Sequence, residues 1–218
     1  MFHRLEKLKA LGYIPDTILD IGACRGLWTY ECKKLYPEAI YYLFEPIAYP
    51  ELEQLRNNSS STLIFHTLLD ESERMVDWYE KRNTGDSMFR EKTIHYNDCI
   101  PVKRRTTPLS TVIHPFLPSM KHVFLKIDCQ GAEIPILKGV GEILSKTDFI
   151  LLEIPFFGQY NENVPTFLEH IQFMDTIGYV PFDILEVHTI KNFSLQIDAL
   201  FISKTHSFHQ RVQEVLLE

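Results

Sequence analysis

The chain has 218 residues, 45% apolar and 12% aromatic, enough to bury a substantial core and to fill one large domain better than two. Its formal charge of -7 and isoelectric point near 5.7 oppose a polyanionic partner, because nucleic-acid binding uses a basic surface that releases counterions from phosphates. Charged residues make up 23% with no long single-charge or Gly/Ser/Pro tract, which argues against a disordered tail or linker.

One continuous domain over 1–218 is therefore expected, opened by an N-terminal helical segment at 1–14. The first residues mix charge with single apolar side chains and lack the unbroken apolar core of a signal peptide. No later stretch approaches the ~20 apolar residues of a membrane span. Cys24, Cys32, Cys99 and Cys129 form no C-x-x-C pair and are sparse for a secreted scaffold. The expectation is a cytoplasmic protein with neither membrane nor nucleic acid as partner. The basic cluster Lys103-Arg104-Arg105 reads as a solvated strand edge.

Along the chain, an amphipathic helix at 2–11 precedes an apolar run at 17–22 that ends in small residues, a buried strand entering a tight turn. A helix at 27–35 and a strand at 40–44 follow, then a helix at 50–57 and a strand at 62–68. Later come a strand at 122–127, a helix at 132–144 with Pro135 in its first turn, a strand at 149–154 and a helix at 165–177. Two late strands, 180–187 and 197–203, lack an intervening helix and should pair as an antiparallel hairpin. Strands alternating with helices imply a mostly parallel sheet covered on both faces. A doubly wound α/β sheet of seven strands with a terminal antiparallel hairpin is the Rossmann-like arrangement of class I methyltransferases. Segment 70–119 interrupts the pattern with two extra strands, Met75 to Tyr79 and Ile100 to Arg105, around the polar stretch Thr84-Gly85-Asp86-Ser87-Met88-Phe89. It reads as a β insertion near the active-site mouth, since loops at strand ends carry ligands in open α/β sheets.

Asp20-Ile21-Gly22-Ala23-Cys24-Arg25-Gly26 sits where the first strand becomes the first helix. Gly22 lets the backbone approach a ligand, and Gly26 lets the helix start pack against the strand. Glu45, ending the second strand, can accept hydrogen bonds from both ribose hydroxyls of a nucleoside. A dinucleotide site requires G-x-G-x-x-G, and Cys24 occupies the place of the middle glycine. Asp20 would also repel a pyrophosphate, whereas it suits the cationic methionine end of S-adenosylmethionine.

Phe124-Leu125-Lys126-Ile127-Asp128-Cys129-Gln130-Gly131-Ala132-Glu133, continuing through Leu137-Lys138-Gly139, resembles the signature of FkbM-type methyltransferases. The resemblance extends to the 20–26 turn, Glu45-Pro46, residues 102–112, Glu153 and Asp198-Ala199-Leu200-Phe201. It departs at Cys24, where the family usually carries asparagine, and at Thr107-Pro108-Leu109-Ser110, where the family continues threonine-leucine-aspartate. The resemblance implies S-adenosylmethionine-dependent O-methylation of a hydroxyl on a sugar, glycan or related small molecule, and membership in a larger glycan-building enzyme fits that range. The cofactor-binding set it implies is Asp20, Gly22, Ala23, Gly26, Thr29, Glu45, Pro46, Asp70 and Asp128.

Methyl transfer is an in-line displacement on a carbon already activated by sulfonium, so positioning supplies much of the rate and a base helps a hydroxyl acceptor. Asp128, at a strand end beside the topological switch point, is the first candidate for that base. Glu153 ends the neighbouring strand on the same rim, and His188 in the final hairpin is the third catalytic candidate. Asp128 and Glu153 could share a divalent cation, but no third ligand is evident and a metal is not favoured. Glu133 reads equally as a carboxylate that satisfies backbone N–H groups. Phe156-Phe157-Gly158-Gln159-Tyr160 offers aromatics to stack on a sugar ring. The rivals are a nucleoside-binding module without catalysis and, further off, a nicotinamide-dependent oxidoreductase.

Overall fold

The computed structural model describes residues 1–156 and 160–208. Helix α1 (Phe2–Ala10) buries Leu5 and Leu8, and is followed by β1 (Thr17–Ile21), α2 (Leu27–Leu35), β2 (Ile40–Phe44), α3 (Pro50–Asn57) and β3 (Thr62–Phe65). Then come β4 (Leu68–Leu69), β5 (Met75–Trp78), β6 (Val102–Thr107), α4 (Leu109–Ile113) and β7 (Val123–Ile127). Helix α5 (Glu133–Lys138), β8 (Thr147–Pro155), α6 (Phe167–Thr176), β9 (Tyr179–Ile190) and β10 (Phe193–Ser203) complete the order.

The main sheet runs β3-β2-β1-β7-β8-β10-β9. Strands β3, β2, β1, β7 and β8 are parallel, and β10 is antiparallel to both β8 and β9. Every residue of β1 and β7 is buried because both faces of the sheet are covered. The two-residue period then splits neighbours between two cores. Leu19, Leu125, Ile150 and Phe201 face one, while Ile18, Phe124, Phe149 and Leu200 face the other. The chain builds outward from β1 to β3 and then returns to β7 on the other side of β1. That reversal opens a crevice at the carboxyl ends of β1 and β7, where ligands of open α/β sheets bind.

Three expectations change in detail. The strand expected over 62–68 ends at Phe65, where Thr67 N–H turns back to the Phe65 carbonyl, 3.0 Å away. The chain then enters a second, smaller sheet of order β4-β6-β5, formed with the two extra strands of segment 70–119. The helix expected over 132–144 stops at Lys138, because Gly139 and Gly141 are poor helix formers, and a 3-10 turn over Gly141–Lys146 follows. The late hairpin is longer than expected. Lys191 and Asn192 both adopt positive φ, 47° and 67°, as a tight two-residue hairpin turn requires. No helix among the described residues is long and apolar enough to cross a membrane.

Candidate active site

A cavity of about 820 Å3 opens at the switch point. Strand ends supply Ile21, Phe44, Asp128 and Glu153 to its wall, and segment 70–119 closes one side with Trp78, Asp86 and Tyr96.

The turn after β1 is forced by close approach. Gly22 has φ +75°, and a Cβ there would lie 2.0 Å from the Asp128 carbonyl oxygen. Asp128 N–H donates to the Ile21 carbonyl at 3.1 Å, so the ends of β1 and β7 meet at this point. Gly26, φ +77°, opens α2, and a Cβ there would meet Leu55 on α3 at 2.2 Å. Its role is to seat α2 against α3 rather than against β1. Cys24 holds φ 49°. Asparagine tolerates that left-handed conformation better than cysteine, which accounts physically for the asparagine usual in the resembled turn.

Of the expected cofactor contacts, Gly22, Glu45, Pro46 and Asp128 line the cavity, whereas Asp20, Ala23, Gly26, Thr29 and Asp70 are not among its lining residues. Asp20 is wholly buried, accepting from Lys126 Nζ at 2.9 Å and from Thr29 Oγ1 at 2.6 Å. That ion pair braces β1 to β7. Burial opposes the Lys126 charge, but Asp20 and Asp128 outweigh it and hold the proton more tightly than water does. Asp70 is likewise consumed, by Glu71 N–H at 2.8 Å and Arg74 Nε at 2.5 Å. Ala23 is buried, its N–H donating to the Phe44 carbonyl at 3.2 Å. Glu45 accepts from Cys24 N–H at 2.9 Å and Ile47 N–H at 3.0 Å. Burial nonetheless pushes its carboxyl up to about 7, outweighing both bonds.

Asp128 is the most open of these groups, its side chain about one-third exposed and 3.6 Å from Lys126 Nζ. Beyond it Glu153 is clasped by two amides: Gln130 Nε2 donates to Oε2 at 2.5 Å and Gln196 Nε2 donates to Oε1. The Tyr160 hydroxyl lies between the amide oxygens of the same two glutamines, 2.6 Å from that of Gln196. Burial first, and then the charges of Asp128 and Asp198, push the Glu153 carboxyl well above the ordinary range. His188 lines the cavity with Nε2 2.9 Å from the buried Asp198 Oδ2. Glu133 takes the backbone role: Oε1 accepts from Cys129 N–H at 2.9 Å and Gly131 N–H at 3.3 Å, fixing the turn that presents Asp128. Phe156 packs edge-on against Phe167, and Phe157, Gly158 and Gln159 lie outside the described residues.

A model of the FkbM methyltransferase domain matches residues 20–181, about three-quarters of the chain. The chain belongs to the FkbM methyltransferase family. The match to a methyltransferase domain sets aside the nicotinamide-dependent oxidoreductase. Similar solved structures include an FkbM methyltransferase from Methylobacillus flagellatus KT, with TM-score 0.53 and 16% identity over 86% of this chain and 43% of that one. Another is the 1,6-didemethyltoxoflavin N1-methyltransferase of Burkholderia thailandensis, with TM-score 0.52 and 11% identity over 92% of this chain and 76% of that one. The chain thus spans less than half of the Methylobacillus structure. No curated protein matches the sequence.

Several groups at this FkbM site were given no role by the sequence. Asp198 carries the clearest signal, a lone charge opening the apolar run Ala199 to Ile202, which is costly unless the charge is engaged. Gln130 and Gln196 are ordinary polar residues until the fold sets them on either side of Glu153. Asp86 reads as loop, yet its Oδ1 accepts from Lys81 N–H at 2.7 Å and the Tyr96 hydroxyl at 2.8 Å, while Oδ2 is buried without a hydrogen-bond partner.

Proposed function

We propose that this FkbM methyltransferase moves the methyl group of S-adenosylmethionine to a hydroxyl oxygen of a sugar, glycan or related small molecule. The carrying observation is that Asp128, one-third exposed at the switch point, stands between Glu45 on one side of the cavity and Glu153 with His188 on the other. In this reading Glu45 accepts hydrogen bonds from the donor's ribose hydroxyls and Gly22 and Pro46 shape the backbone wall beside them. The similar Burkholderia thailandensis structure holds S-adenosylhomocysteine, which favours a nucleoside of that kind in a fold of this type.

Asp128 orients the acceptor and takes its proton as oxygen attacks the methyl carbon. The carbon–sulfur bond breaks with its electron pair going to sulfur, and S-adenosylhomocysteine leaves. The test is methyl transfer to a panel of carbohydrate hydroxyl and amine acceptors, with wild type beside Asp128→Asn. Transfer to oxygen is expected, and Asp128→Asn should lower turnover by ~100-fold or more with S-adenosylhomocysteine affinity unchanged. Unaltered turnover would remove Asp128 from the chemistry, and transfer confined to amine nitrogens would overturn O-methylation.

A further inference from the structure

On the acceptor side of the cavity, three adjacent strands bring together Glu153 of β8, Asp198 of β10 and His188 of β9. One ligand atom from each lies within 4.8 Å of the others. We propose that Glu153, His188 and Asp198 bind a divalent cation of the Mn2+ or Mg2+ type, which holds the acceptor hydroxyl for methylation. The proposal rests on the methyl-transfer reading above.

The sheet register is the first support. Asp198 is paired directly with Glu153 across β10 and β8. Were both ionised, carboxylates directly opposite on one face would repel, and water gives little relief here because Asp198 is buried. A cation between them turns that repulsion into ligation. The second support is the lack of a fixed one. No Lys or Arg is among the described residues lining the cavity, and the nearby Lys126 is committed to Asp20 at 2.9 Å.

Geometry and chemistry agree with the charge argument. His188 Nε2 and Asp198 Oδ2 are 2.9 Å apart. Two ligands at right angles, each ~2.1 Å from a shared ion, would be separated by ~3 Å. Two carboxylates and an imidazole, without a thiolate, suit an oxygen-preferring divalent ion. The Gln130 and Gln196 amides clasp Glu153 as outer hydrogen bonds orient metal-binding carboxylates elsewhere. Glu153 and His188 both line the cavity, so the remaining coordination positions face the space an acceptor would occupy. As a Lewis acid the ion would lower the hydroxyl's pKa before its proton passes to Asp128.

The experiment is an electron paramagnetic resonance titration of the S-adenosylhomocysteine-loaded protein with MnCl2. Wild type, Asp198→Asn and His188→Gln are compared, each checked by thermal unfolding and by S-adenosylhomocysteine titration. Wild type is expected to hold a tight Mn2+ whose affinity falls ~10-fold or more in each variant. Absence of bound Mn2+ in wild type, or equal affinity in a folded variant, overturns the proposal. A wild type that fails to load S-adenosylhomocysteine would instead strike at the donor assignment, so the two failures are told apart. Should Asp198→Asn not fold, His188→Gln and the wild-type titration carry the test.

Discussion

Glu45 shows how burial and hydrogen bonding compete at one residue. Its folded-state pKa, about 7, lies above the ordinary 4.5, so the folded chain keeps a proton that the unfolded chain releases. Stability from that proton is complete below pH 4.5 and is lost as pH rises towards 7. Glu45→Gln should therefore make the ligand-free protein more stable than wild type at pH 8 but not at pH 4.5, as urea unfolding at the two pH values would show. In the proposed donor site the sense is opposite, because an ionised carboxylate is the better acceptor of ribose hydroxyls. Affinity for S-adenosylhomocysteine should fall as pH drops below about 7, and Glu45→Gln should flatten that dependence. Lys126→Met would strand the buried Asp20 charge, with an expected cost of ~3–5 kcal/mol in urea unfolding. Glu45 was legible from its place after an apolar strand. Asp20 was read as a cofactor contact and not as Lys126's partner, since pairing across β1 and β7 depends on a contact 106 residues apart in sequence.

At the level of elements, β1, β2 and β7 were read to within a residue because apolar runs bounded by small or polar residues have few other uses. What sequence did not show was where hydrogen bonding changes hands. The strand at 62–68 continues its apolar character into Leu68 and Leu69, so periodicity could not mark the switch to the second sheet. Lys191-Asn192 lacks the glycine of a usual hairpin signal, which hid the length of β9 and β10. The turn after β1 is the opposite case, in which one residue type permits one geometry. Gly22→Ala places a Cβ at left-handed φ against backbone rather than a flexible side chain. The expected loss is about 2 kcal/mol or more of folding stability, together with weakened donor binding, measurable by thermal unfolding and titration.

Across the whole molecule, the sequence gives net charge but not its placement. The cavity wall gathers Glu45, Asp86, Glu91, Asp128 and Glu153 without a described Lys or Arg. Such a wall favours a cationic donor over its neutral-sulfur product. S-adenosylmethionine should therefore lose more affinity than S-adenosylhomocysteine as salt is raised, because screening weakens only the extra charge. Two layers of helices fix strand ends from both sides, and segment 70–119 supplies the remaining wall, so the site belongs to the entire fold. In the proposed function this cavity holds the methyl donor. Calorimetric titration of wild type and Glu45→Ala with S-adenosylhomocysteine, beside NADH, tests it most directly. Saturable S-adenosylhomocysteine binding that Glu45→Ala weakens is expected, with no NADH binding. A folded wild type that does not bind S-adenosylhomocysteine, or a Glu45→Ala protein that binds it equally well, would contradict it.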